Sequence, residues 1–181
     1  SAASDVYKRQ VGQELVVHPF LPVVDGHSRV LILGSLPSVK SRENHFYYGH
    51  PQNRFWKVLA GVCQAEVPVS VEEKKAFLLA NGIAVWDVIA SCRIVGSSDS
   101  SIRDVAANDV AGLLQDSRIE AVFCNGAKSW ELYHRYCEKA CQREAEKLPS
   151  TSPATAAWSP ERLIKSWGEA LLPYVGPGRK G

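Results

Sequence analysis

Apolar residues along this chain fall into two spacings. Short runs that are apolar on consecutive positions, and so on both faces of a strand, occur at residues 29–34 (RVLILG), 83–89 (IAVWDVI) and 119–125 (IEAVFCN). Gly34 ends the first and Gly126 follows the third, as expected of buried strands that stop at a turn. A fourth short strand is predicted to end near Leu148. Between these runs the apolar positions recur at helical spacing. Residues 53–64 carry Phe55, Trp56, Val58, Leu59 and Val62 on such a pattern. Residues 71–81 form a second predicted helix, with Ser70 as N-cap, Glu73 three positions on and Gly82 as the stop. Further helices are predicted over 104–115, over 127–143 and from Ser159 or Pro160 to Leu172.

Strands that alternate with helices and are apolar on both faces imply a mostly parallel sheet covered on each side. The expected fold class is therefore α/β: a three-layer α/β/α sandwich around a central, mostly parallel four-stranded sheet. Ligands of such folds sit outside the carboxyl ends of the strands. The loops at those ends are 35–52, 91–104, 125–128 and 149–158, all polar, and they should converge on one site. Residues 1–10 show no periodic pattern and are expected to form a tail. Residues 11–181 are expected to be a single domain.

Composition narrows the picture a little. With 45% hydrophobic and 22% charged residues in 181, the chain reads as an ordinary globular protein. No run approaches the roughly 18 apolar residues of a membrane span, so no membrane partner is expected. The formal net charge of +2 neither announces nor excludes a nucleic-acid partner, because brief docking needs only a local basic rim. Lys40, Arg42, Arg54, Arg93 and Lys165 are candidates for it. The five cysteines include no CxxC pair, and reduced structural thiols are expected. With no export signal evident, a cytoplasmic (bacterial-type) or nucleoid-associated setting is expected. His45 and His50 find no third metal ligand at a suitable spacing. No metal or cofactor is expected.

Chemistry concentrates in the first loop, GSLPSVKSRENHFYYGHPQN. The tight strand exit at Gly34–Ser38 lacks the Gly-Lys-Ser/Thr ending of a phosphate loop and the glycine spacing of a nucleophile elbow. Tyr47 and Tyr48 lie between a charged stretch and His50-Pro51, where packing alone does not call for rings. They read either as core aromatics or as a platform for a base, a stacking contact worth roughly 1–3 kcal/mol. Asn53 can cap the following helix, orient a water or read a base edge, and these roles can coexist. Asp87 lies inside an apolar strand, where a lone acid is either paired or functional. Asp99, in a Ser-rich segment, is one of the few acids in the site loops.

Together these loops resemble the uracil-DNA glycosylase superfamily. GSLPSVKS with FYYGHPQNRFW is similar to the first motif region of its hypoxanthine (deoxyinosine)-DNA glycosylase branch, and LPSTSPA to the second. IAVWDVIASC with GSSDSSI is similar to the segment between them. More distantly, His50, Pro51 and Asn53–Trp56 resemble mismatch-specific uracil and thymine glycosylases, although Leu36 stands where those enzymes keep a catalytic Asn. Leu148 replaces the His that opens the second motif in other branches. The resemblance implies a monofunctional enzyme that extrudes a deaminated base from DNA and hydrolyses its N-glycosidic bond, and the protein is expected to be a monomer. It implies Asn53 as catalytic, and Ser35, Leu36, Tyr48 and Asp99 around the base. Ser38, Lys40, Ser150, Thr151, Ser152 and Pro153 would lie along the DNA. A non-catalytic nucleic-acid-binding module, or an enzyme of free nucleosides, would share much of this pattern.

Overall fold

The computed structural model describes residues 12–96 and 98–176. The expected tail at residues 1–10 lies outside these described residues. Seven strands are described: β1 Glu14–Val17, β2 Val30–Gly34, β3 Ile83–Asp87, β4 Ile89–Ile94, β5 Arg103–Ala107, β6 Ala121–Asn125 and β7 Glu146–Leu148. The helices are α1 Val39–Glu43, α2 Phe55–Cys63, α3 Val71–Ala80, α4 Val110–Gln115, α5 Ala127–Tyr136, α6 Glu138–Cys141 and α7 Pro160–Leu171.

The central sheet is parallel and four-stranded, in the order β3-β2-β6-β7. Every residue of β2 is buried, and its side chains alternate between two cores. Val30 and Ile32 face a core built with Phe55, Leu59, Leu78, Leu163 and Trp167, under α2, α3 and α7. Leu31 and Leu33 face a second core with Ile89, Cys92, Val110, Leu132 and Tyr133. This is the period-two geometry of a strand covered on both sides. The α/β three-layer architecture and its parallel sheet agree with the sequence reading.

Three local expectations are corrected. The predicted helix over 104–115 is a strand, β5, followed by the short α4 that begins after the Asp109 cap. The segment 91–104, expected as a loop, begins as β4, and the two strands pair antiparallel. Cys92 and Ile94 are buried while Arg93 is exposed, a two-residue alternation that the Ser- and Gly-rich turn after it obscures. β1 completes this second sheet in the order β1-β4-β5, and it covers part of the second core. The predicted helix over 127–143 breaks at Cys137 (φ −121°) and closes as α6 with Gln142 in the left-handed region (φ 50°).

Only Val88 separates β3 from β4, so one ribbon belongs to both sheets. Val88 and Ile89 donate their amides to the carbonyls of Gly34 and Ser35 at 2.9 and 3.1 Å. The exits of β2 and β3 are thereby held side by side, at the end of the sheet where the polar loops gather.

Candidate functional site

A cleft of about 700 Å³ opens at the carboxyl ends of β2, β3 and β6. Gly34, Ser35, Leu36 and Ser38 come from the first loop and Tyr48 and Asn53 from its far end. Asp87 and Asn125 terminate β3 and β6, and Ser150, Thr151 and Ser152 form the opposite wall. The predicted convergence of four loops is what the fold brings about.

Gly34 is required by what crosses it. A Cβ there would stand 2.3 Å from Asp87 Oδ1 and 2.9 Å from Tyr48 Oη. Tyr48 itself adopts a left-handed backbone (φ 51°), a conformation that costs a bulky residue on the order of 1–3 kcal/mol. Its neighbours compel it. Tyr47 is buried, with its hydroxyl donating to Leu21 O at 2.8 Å, and Trp56 Nε1 donates to Tyr47 O at 3.3 Å. The ring of Tyr48 stacks on Phe55, with centroids 3.8 Å apart and planes 18° from parallel. Tyr48 Oη is buried without a hydrogen-bond partner. Burial raises this phenol far above its ordinary pKa, and the Asp87 carboxylate adds in the same direction. Asn125 pulls the other way without completing a hydrogen bond.

Asn53 stands two residues before α2, next to the Arg54 N-cap. Its Oδ1 accepts from the Phe55 amide at 2.9 Å and from Thr151 Oγ1 at 2.9 Å. Thr151 Oγ1 in turn accepts from Asn125 Nδ2 at 3.0 Å, and Asn125 Oδ1 accepts the Thr151 amide at 3.0 Å. The amide of Asn53 is thus oriented by its partners: the oxygen is used, and the NH2 group is left to the cleft. Thr151 is fully buried, so its hydroxyl braces Asn53 rather than lying along the outside of the wall.

Arg54 corrects another expectation. As a candidate rim cation it should face solvent. Instead its guanidinium is enclosed by carbonyl oxygens of Ser152 (2.9 Å), Thr155 (3.2 Å), Thr151 (3.4 Å) and Trp158. A fixed fork of five N–H donors suits such a cage of acceptors. The loop carrying Ser150–Ser152 is shaped around it. Trp167 Nε1 adds an anchor on Pro149 O at 2.9 Å, and Gly126 (φ 94°) lets Ser150 approach to where a Cβ would meet it at 3.0 Å.

The other expected residues are more dispersed. Ser38 caps α1 by accepting the Ser41 amide at 3.1 Å while lining the cleft. Lys40 is exposed outside it and pairs with Glu43 at 3.3 Å. Pro153 is exposed next to the wall. Arg42 and Arg93 approach Glu14 and Asp104 at 3.9 and 3.6 Å. Asp99 begins a 3-10 turn on the cleft's edge, and desolvation raises its carboxyl while Lys128 opposes the shift. The amides of Ser35 and Leu36 donate to no backbone acceptor among the described residues. Among the described residues, no three His, Cys, Asp or Glu side chains gather as a metal set.

Sequence reasoning did not single out Asn125, Lys128 or His18. Asn125 and Lys128 fall in a loop that was expected to reach the site, and Asn125 repeats the pattern of an apolar strand ending in a polar residue and Gly. His18 offered no such signal.

This fold, with its cleft at the strand ends, is that of a base-excising glycosylase. The sequence matches the Uracil DNA glycosylase superfamily across residues 21–172, and the chain belongs to that family. It is 34% identical over 159 residues to the hypoxanthine DNA glycosylase of Methanosarcina barkeri, spanning 84% of this chain and 96% of the relative. It is 33% identical over 150 residues to the hypoxanthine DNA glycosylase of Methanosarcina acetivorans, spanning 82% and 94%. A solution NMR structure from Methanosarcina acetivorans, described as a candidate uracil DNA glycosylase, superposes with a TM-score of 0.74 at 33% identity. It covers 87% of this chain and 96% of its own.

Proposed function

We propose that this DNA glycosylase removes a deaminated base, hypoxanthine first and uracil second, by monofunctional hydrolysis of the N-glycosidic bond. The names of its relatives support hypoxanthine, and the cleft supports the chemistry. Reaching a glycosidic bond inside a duplex requires the nucleotide to be flipped out, at a cost of a few kcal/mol. The face of Tyr48 turned away from Phe55 offers a stacking partner for the extruded base. The free amides of Ser35 and Leu36 suit acceptors on its edge.

Bond cleavage gives the sugar oxocarbenium character while the base leaves with negative charge. A donor held in place before the charge develops stabilises it without reorganisation. Asn53 fits this role. The observation that carries the proposal is its amide orientation, with Oδ1 consumed by Phe55 and Thr151 and the NH2 group left as a donor. Ser150 and Ser152, on the Arg54-braced loop, are assigned to the DNA backbone, with Ser38, Lys40 and Pro153 flanking. Asp99 borders the base. The protein acts as a monomer on this reading.

The test is a set of duplexes carrying deoxyinosine, uracil, xanthine or a thymine mismatch, incubated with the protein and then cleaved with alkali. Strand cleavage at deoxyinosine, strongly reduced in Asn53→Ala, is the expected result. No cleavage at any of the four would refute the activity.

A further inference from the structure

The glycosylase chemistry proposed above leaves one buried acid unused. Asp87 ends β3 at the floor of the cleft and is 3% exposed. Its Oδ2 accepts from His18 Nε2 at 2.7 Å, across 69 residues of sequence. The His18 side chain is equally buried, with Nδ1 2.9 Å from the Phe20 carbonyl and 3.3 Å from its amide, and rings of Phe20 and Tyr47 against its own. The imidazole is therefore held at both nitrogens, and it fixes the carboxylate in turn. Asp87 Oδ1 is left with no donor among the described residues. It lies over Gly34, where any side chain would collide with it, and beside the unpartnered Tyr48 hydroxyl.

This oxygen belongs to a side chain that lines the cleft, so it is placed to take a donor from a ligand there. The ligand class follows from what an ionised carboxylate can do, which is accept only. Deamination changes one thing on the ring edge that such a group detects. It converts a bare ring nitrogen into an N–H, at N1 when adenine becomes hypoxanthine and at N3 when cytosine becomes uracil. The neighbouring amino group becomes a carbonyl, which a loop amide can meet.

We infer that Asp87 is a specificity-determining residue, its Oδ1 accepting the ring N–H that deamination creates, and that His18 positions it. An adenine in the same register would bring its N1 lone pair against the carboxylate oxygen. This rests on the proposed activity, and it assigns the reading of the base to a pair outside both sequence motifs.

The experiment compares single-turnover excision of deoxyinosine with that of purine 2′-deoxyriboside, which lacks the N1 proton and the O6 atom. Rates are normalised to spontaneous depurination of each nucleoside. Wild type should prefer deoxyinosine, and Asp87→Asn, which can present an amide NH2 instead, should lower that preference about ten- to a hundredfold. His18→Leu should lower it too, and His18→Gln, which keeps a donor toward Asp87, should restore part of it. Thermal unfolding of each variant separates misfolding from misreading. Should Asp87→Asn not fold, wild type alone decides: equal normalised rates on the two nucleosides overturn the inference. An unchanged preference in a folded Asp87→Asn also overturns it while leaving the glycosylase activity standing. Release of neither hypoxanthine nor uracil by wild type removes the proposed activity first, and this inference with it.

Discussion

The two rims of the cleft are held in opposite ways. On one side, Arg54 binds carbonyls 97 to 104 residues away in sequence, and Asn53, Thr151 and Asn125 share a closed set of hydrogen bonds. On the other, the turn between β4 and β5 is stabilised from within. Val95 donates to Ser101 Oγ and Ser101 Oγ to Ser98 O, at 2.9 and 2.7 Å, and its residues are mostly exposed. Long-range bonds fix a side chain relative to the whole sheet, whereas local bonds fix it only relative to its own turn. Charge stabilisation in a transition state needs the first kind of placement. The second suffices for contacts that adjust to a nucleic-acid surface.

The largest test of this contrast is Asn53. Asn53→Ala should reduce single-turnover base release about 10²- to 10³-fold, with the fold retained by circular dichroism. Asn53→Asp should lose as much, because it replaces the free NH2 group with a second acceptor. An Asp variant near wild-type rate would mean that the residue works through its oxygen.

Arg54→Ala comes next, through stability rather than chemistry. It strands several carbonyls of the 149–158 loop, and about 3 kcal/mol should be lost in denaturant unfolding. Arg54→Lys should recover less than half of that, since an ammonium cannot span the same cage. Equal midpoints for wild type and the Ala variant would remove the claim that this rim is rigid.

Thr151→Val keeps the shape and removes the hydroxyl. A loss of about tenfold in kcat is expected, the size of one hydrogen bond near 1.4 kcal/mol, with Thr151→Ser close to wild type. An effect confined to KM would place Thr151 in DNA binding instead.

The smallest effects should come from the looser rim. Asp99→Asn should change excision by less than about threefold, in keeping with the small effects of most surface substitutions. Its pH signature has a definite sign. Desolvation raises the folded carboxyl, so the native state retains a proton that the unfolded chain has released. The wild type should thus lose stability relative to Asp99→Asn as pH rises from the ordinary carboxylate range through the raised value, with Lys128 reducing the size of the loss. A difference that grows as pH falls would contradict this.

The parallel sheet was legible in the sequence because each of its long strands is buried on both faces and so reads as an unbroken apolar run. Leu31 and Leu33 need the second core as much as Val30 and Ile32 need the first. β1, β4 and β5 were not legible, since strands of an antiparallel sheet with one solvent face carry polar residues on that side. In β5, Arg103, Asp104 and Ala106 are exposed. Tyr48 and Asn53 could be picked out by their setting in one loop. The inward turn of Arg54 and the pairing of His18 with Asp87 could not, because both depend on contacts between segments far apart in the chain. Thr151 was expected along the DNA, and only the position of Asn53 beside it, from a distant part of the chain, explains why its hydroxyl faces inward.

The ribbon formed by β3 and β4 has a consequence for how the molecule comes apart. Its first half supplies Ile83 and Val85 to one core, and its second half supplies Ile89 and Cys92 to the other. With Val88 alone between them, neither half has slack to detach while the other stays paired. The two cores are therefore expected to melt in one cooperative transition, so that a truncation such as Leu59→Ala on one face lowers the same midpoint as Ile89→Ala on the other. Damage to packing far from the cleft would then reach Asp87, at the bend of that ribbon, as readily as damage beside it.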